Sequence, residues 1–205
     1  GALGISLGGG CVVNASHYDE TADALDGGIL AVSPPAVPKE VWGRLSEPVP
    51  RGHPRYALHR AFEAALTSRV RSGRWPPEAE DMLHVMEYVT APYYGLDADE
   101  IWRRSAGRDQ VGDARVPLLI LHPEDDPIVK VDQARILAEA AKDNDLVRVW
   151  ILPHGSHGLL EAADSRWTHA VHRLFFERWG IYPEREPDRP VGEPAELVYS
   201  AEQTK

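Results

Sequence analysis

With 205 residues, 43% of them hydrophobic and 26% charged, the chain suits one soluble globular domain, with room for an inserted subdomain and no apolar run of membrane-spanning length. A net charge of −10 leaves no basic stripe to neutralise phosphates, which argues against nucleic acid and anionic membrane as partners. The lone Cys11 excludes an intrachain disulfide and fits a reducing, cytoplasmic setting.

The chain opens on Gly4-Ile5-Ser6-Leu7-Gly8, followed by Gly9 and Gly10. A G-x-S-x-G of this kind reads as a nucleophile elbow, a tight strand-to-helix turn that lifts a serine hydroxyl above a sheet. Glycines flank the serine because the turn brings backbone too close for a Cβ. With 17 glycines in the chain, the pentapeptide also arises by chance, so the rest of the sequence has to support it. Gly1-Ala2-Leu3 is too short to supply the strand that an elbow needs. The chain is therefore expected to be the C-terminal part of a larger protein: a truncation, a processed fragment or one of two chains.

From Leu7 to Ser16, small residues and Val12-Val13 predict a helix packed on a sheet, with Cys11 buried as a small apolar residue. Asp26-Gly27-Gly28 is a turn. Ile29-Leu30-Ala31-Val32, bounded by Ser33-Pro34-Pro35, reads as a buried parallel strand. The segment from Pro35 to Gly112 lacks a strong strand signal and reads as helices, over about Pro54–Arg71, Pro77–Glu87 and Asp97–Ser105. Further strands are expected over Val116–Leu121 and Leu146–Leu152, both too apolar to lie at an open sheet edge. A helix is expected between them, over Val131–Lys142, with Asn144 as its stop. A last helix is expected over about Leu159–Trp179, closed by Gly180. Residues 183–205 hold four prolines among many charges and read as an extended or disordered tail. Strand and helix alternate as in βαβ units of a parallel sheet, interrupted by a helical insertion.

Two turns carry further chemistry. His122-Pro123-Glu124-Asp125-Asp126-Pro127 puts three carboxylates just past a strand's C-terminal end, where such sheets place catalytic groups. Asp and Pro also form turns with no catalytic role. Pro153-His154-Gly155-Ser156-His157-Gly158 puts two histidines at the next strand end. A surface loop or a metal site would use the same residues, although no zinc-ligand spacing is present. Taken together, serine, acid and histidine occur in that chain order, each at a strand end, and supply the trio that nucleophilic catalysis needs. The histidine takes the serine's proton, and the acid fixes the tautomer and stabilises the imidazolium.

The elbow Gly4–Gly9, the run Pro117–Pro127 and Gly155-Ser156-His157-Gly158 resemble an α/β-hydrolase. The stretch Met86–Leu96 and Ile101-Trp102-Arg103-Arg104-Ser105 is more loosely similar to the cap of the YheT-like branch, which holds esterases and medium-chain acyltransferases. The resemblance covers roughly Gly1 to Trp179. It implies a mostly parallel sheet with residues 1–34 and 113–182 as core and 35–112 as a helical cap. It implies Ser6 as nucleophile, Asp126 as acid and His157 as base, with Glu124, Asp125 and His154 as rivals. The chain departs from the family in lacking the strands and the first oxyanion donor that precede the elbow.

The Leu7 N–H, next after the nucleophile and at a helix N-terminus, is expected to be an oxyanion donor. Trp42, Tyr88, Tyr93, Tyr94 and Trp102 are candidates for an apolar substrate lining, or for the packing of a small helical subdomain. The expected activity is hydrolysis of a carboxylic ester or related acyl bond through an acyl-enzyme, with no cofactor and no metal. An alcohol acceptor would convert it to acyl transfer. A non-catalytic subunit or binding module is the reading from another class. The expected partners are a small acyl substrate and an upstream segment or second chain that completes the sheet.

Overall fold

The computed structural model describes residues 1–25, 27–53, 55–159 and 173. The helix expected from Leu159 to Trp179 falls outside these but for Leu159 and Arg173, and the tail 183–205 falls outside them entirely.

Strand β1 (Ala2–Ile5) opens the chain. A strand does precede Ser6, because the first two residues of the elbow motif, Gly4 and Ile5, themselves belong to it. Helix α1 (Leu7–Ala15) follows at once, then α2 (Asp19–Ala24) and β2 (Ile29–Val32). The segment between β2 and the next strand is helical: α3 (Pro38–Ser46), α4 (Tyr56–Arg71), α5 (Met82–Val85), α6 (Ala91–Tyr93) and α7 (Ala98–Ser105). Pro38 opens α3, where a missing N–H costs nothing. Asp81 and Asp97 cap α5 and α7 by accepting from the backbone N–H three residues on. The helix expected over Pro77–Glu87 begins later, at the Asp81 cap. It then continues as a π-turn over Met86–Thr90, which hands over to α6 at Ala91. Pro92 lacks the N–H that a regular α-helical ladder would need there, which accounts for the change of register.

Strand β3 (Leu118–Pro123), α8 (Asp132–Ala140) and β4 (Val147–Leu152) complete the described core, and a 3-10 turn begins at His157. The four strands are all parallel and lie in chain order, β1-β2-β3-β4. One rung of the ladder reads Ala2, Ile29, Leu118, Val147, and another reads Leu3, Leu30, Leu119, Arg148. β2 and β3 are buried along their whole length, as central strands covered on both faces are. The face bearing Ile29, Ala31, Leu118 and Ile120 packs with Val13 of α1 and Leu137 of α8. Each such fully buried Ile or Leu contributes about 1.5–3 kcal/mol.

β4 does not behave as its apolar sequence suggests. It lies at an edge of the described sheet, with Trp150 and Ile151 exposed. Cys11 is likewise exposed, not buried. Gly9, Gly10 and Val13 form the inward face of α1, and a residue at position 11 is turned away from it. Among the described residues no helix is long and apolar enough to cross a membrane.

The helices between β2 and β3 are tied to the core close to the strand ends. Val41 and Leu45 of α3 pack against Val129, with Leu58 and Phe62 of α4 alongside. Gln133 of α8 accepts from the Val37 N–H and donates to Glu40. α3 is thus held against the turn that follows β3.

Candidate active site

Ser6 is the first residue past β1 and stands at φ 55, ψ −120. That backbone region is disfavoured for a residue with a Cβ, so the turn is strained. The ladder bond from the Ser6 N–H to the Val32 carbonyl (2.8 Å) and the helical bond from Gly10 N–H to the Ser6 carbonyl (3.0 Å) hold it there. The Ser6 hydroxyl does not cap α1 and is half-buried. The glycines on either side do different work. A Cβ on Gly4 would sit 2.2 Å from the Gly8 carbonyl oxygen, so only glycine fits. A Cβ on Gly9 would meet the Val32 carbonyl at 3.1 Å, which lets α1 lie close on β2, whereas one on Gly8 would meet nothing within 4 Å. Leu7, exposed, begins α1, so its N–H belongs to the unpaired first turn.

The three carboxylates after β3 have separate environments. Glu124 is exposed and pairs with Arg135 at 3.5 Å. Asp125 accepts from the Ser156 N–H at 2.9 Å and lies 3.7 Å from His154 Nδ1. Asp126 turns inward, its side chain fully buried, and its Oδ1 accepts from the N–H groups of Ile128 (2.8 Å) and Val129 (2.9 Å). His157 Nδ1 donates to the same carboxylate, 2.9 Å from Oδ2 and 3.1 Å from Oδ1. Burial opposes ionisation of Asp126. The His157 imidazole, the Ile128 N–H and the Ser33 hydroxyl outweigh it and hold the acid below its ordinary pKa. The imidazole therefore faces an ionised carboxylate at neutral pH and presents Nε2 away from it. His154, by contrast, has 87% of its side chain exposed, against 17% for His157.

Two residues that motif reasoning passes over belong to the same cluster. Ser33, one residue past β2, is fully buried at φ 50 and accepts from the Gly158 N–H at 3.2 Å. His122, also fully buried, donates from Nε2 to the Val129 carbonyl at 2.8 Å. Burial lowers its pKa, against the raising effects of that bond and of Asp126, so it is neutral. The signal for both lay in the topology: β1, β2 and β3 end side by side, which aligns Ser6, Ser33 and His122.

The candidate lining aromatics occupy different environments. Trp102 is buried and donates from its indole N–H to Glu87 at 3.2 Å. Trp42, on α3, packs against the cluster of Val41, Leu45 and Val129, Tyr88 is half-exposed, and Tyr93 and Tyr94 stand edge to face in solvent, Tyr93 at 81% exposure.

No protein-family model matches the chain, and no curated protein sequence matches it. Among solved structures, an acylaminoacyl peptidase from Pyrococcus horikoshii superposes with a TM-score of 0.50 at 18% identity, over 85% of this chain and 22% of that one. The fold is the α/β-hydrolase fold. An esterase domain from Rhodothermus marinus aligns at a TM-score of 0.49 and 20% identity, over 86% of this chain and 58% of that one. An esterase from Pyrococcus furiosus aligns at 0.49 and 15%, over 86% of this chain and 52% of that one. The chain thus spans less than two thirds of each of these α/β-hydrolase-like structures.

Proposed function

We propose that the chain carries the nucleophile, base and acid of a serine hydrolase acting on a carboxylic ester or related acyl bond. The observation that supports this most is the buried Asp126 carboxylate, 2.9 Å from His157 Nδ1, which like the strained Ser6 lies past the C-terminal end of a parallel strand. In this reading Ser6 Oγ attacks the acyl carbon while its proton passes to His157 Nε2. Negative charge gathers on the former carbonyl oxygen, toward the Leu7 N–H. The intermediate collapses, the acyl–oxygen bond breaks, and the leaving alcohol takes the proton from Nε2. Water then attacks the acyl-Ser6 ester with His157 again as base, releasing the acid and restoring Ser6. Asp126 stays ionised throughout and stabilises the imidazolium.

The YheT-like branch that the sequence resembles holds esterases and acyltransferases alike. An alcohol that outcompetes water in the last step would give acyl transfer from the same acyl-enzyme. The test is a serine-directed fluorophosphonate together with short p-nitrophenyl esters. The chain should be labelled at Ser6, and Ser6→Ala should abolish the label and lower turnover about ten-thousand- to millionfold. Equal labelling of the two proteins would remove Ser6 from the reaction, and no labelling of either would favour the non-catalytic reading.

A further inference from the structure

Among the described residues, three other than glycine have positive φ: Ser6, Ser33 and Ser156. The first is the proposed nucleophile and the third precedes His157. Ser33 has no part in the reaction as written, yet it is fully buried and carries the same kind of strain. Strain of this sort persists only where the surroundings enforce it, and it clusters at functional sites.

The surroundings of Ser33 are specific. Its N–H continues the ladder to the Leu121 carbonyl at 2.9 Å, so the residue is anchored to β3, the strand that leads to Asp126. The positive φ then turns the chain toward Pro34. Its Oγ accepts from the Gly158 N–H at 3.2 Å, immediately after His157. Because the oxygen accepts there, its own proton is free to donate, and the hydroxyl is among the groups that hold the Asp126 carboxyl below its ordinary pKa. On the other side of His157, the Ser156 N–H is held by Asp125, which is partly exposed. The loop residues Gly155 (φ 151), Ser156 (φ 55) and Gly158 (φ 68) all have unusual backbone, so the loop depends on these outside bonds. Of the two bonds, the one to Ser33 is buried and is not in competition with water. The titratable groups around the loop are Asp125, Asp126, His154 and His157, with His122 on the adjoining strand.

We infer that Ser33 is a positioning residue: its hydroxyl ties the loop after β4 to the end of β2, and so sets the placement of the His157 ring against Asp126. The inference deepens the hydrolase reading and rests on it for its kinetic consequence.

The test separates hydroxyl from backbone in the full chain. Ser33→Gly suits the positive φ but has no hydroxyl, and Ser33→Thr keeps the hydroxyl on a β-branched residue that the φ disfavours. Positioning predicts that, at temperatures where Ser33→Gly is fully folded, its kcat falls about ten- to a hundredfold with KM within about twofold. Ser33→Thr should keep most of kcat while unfolding at lower temperature. Activity that simply follows stability across the two variants, or a Ser33→Gly protein with unchanged kcat, would overturn the inference. Proton NMR of the Nδ1–H between His157 and Asp126 gives a readout free of turnover. Ser33→Gly should broaden this signal by exchange, and an unchanged signal counts against positioning. If turnover does not depend on Ser6 but the signal still broadens, the hydrolase reading falls and the positioning role stands.

Discussion

At Ser6, Gly4 and Ser33, single residues hold conformations that their neighbours dictate. Gly4 is irreplaceable because the Gly8 carbonyl occupies the place of a Cβ, whereas Gly8, equally prominent in the motif, has open space around it. The motif letters do not distinguish the two; the path of the turn does. The choice among candidate bases is likewise one of environment. His157 donates to a buried carboxylate, while His154 is solvent-exposed and lies 3.7 Å from the partly exposed Asp125. His157→Ala should therefore lose nearly as much rate as Ser6→Ala, because members of such a unit fail together. His154→Ala should lose less than about tenfold, through a looser 154–158 loop alone. Steady-state kinetics on both variants decide it, and the reverse ranking would move the base to His154. Ser6, Asp126 and His157 are proposed already from sequence because each sits in a short pattern of glycines or acids. Ser33 could not, because its role arises only when the ends of β2 and β4 come together.

The turn that joins β3 to α8 works as an element. Asp126 accepts from Ile128 and Val129, His122 donates to the Val129 carbonyl, and Val129 is buried against α3. The acid is thereby fixed from within its own turn and from the helical segment above it. Burial holds His122 below its ordinary pKa of about 6.5 in the folded chain, so the unfolded chain binds this proton more readily. The stabilising contribution is complete above about pH 6.5 and declines as pH falls from there toward the lowered folded value, by at most about 1.4 kcal/mol per pH unit for one proton. Urea unfolding at pH 7.5, 6.5 and 5.5 should show this decline in the parent. His122→Gln can still donate to Val129 but does not titrate, and should flatten the curve. An identical slope in both proteins would place the acid sensitivity elsewhere. Among the elements, β2 and α7 follow the sequence pattern closely. α2 and α3 had no separate signal, since short helices draw their stability from tertiary packing and not from periodicity. The π-turn over Met86–Thr90 depends on one proline, which periodicity does not register.

At the scale of the whole molecule, the described residues form a parallel sheet with an edge strand on each side. Both middle strands are buried, while β1 is paired on one side only among the described residues and shows Leu3 and Ile5 at 44% exposure each. An apolar strand with a free edge is a template for further pairing. The net charge of −10 opposes it, because copies of the chain repel one another. These two effects respond oppositely to salt: repulsion between exposed charges is screened over about 10 Å at 0.1 M ionic strength, whereas backbone pairing and apolar contact are not. Residues 1–205 expressed by themselves should therefore self-associate, and more strongly as salt is raised. Leu3→Lys places a charge on that strand without touching Ser6, and should shift the sedimentation profile toward monomer at equal protein and salt. Supplying a strand-forming segment that pairs with β1 should do the same and raise the urea midpoint as well. A parent chain that stays monomeric at every salt concentration, with a single cooperative unfolding transition, would show that β1 is adequately protected as it stands.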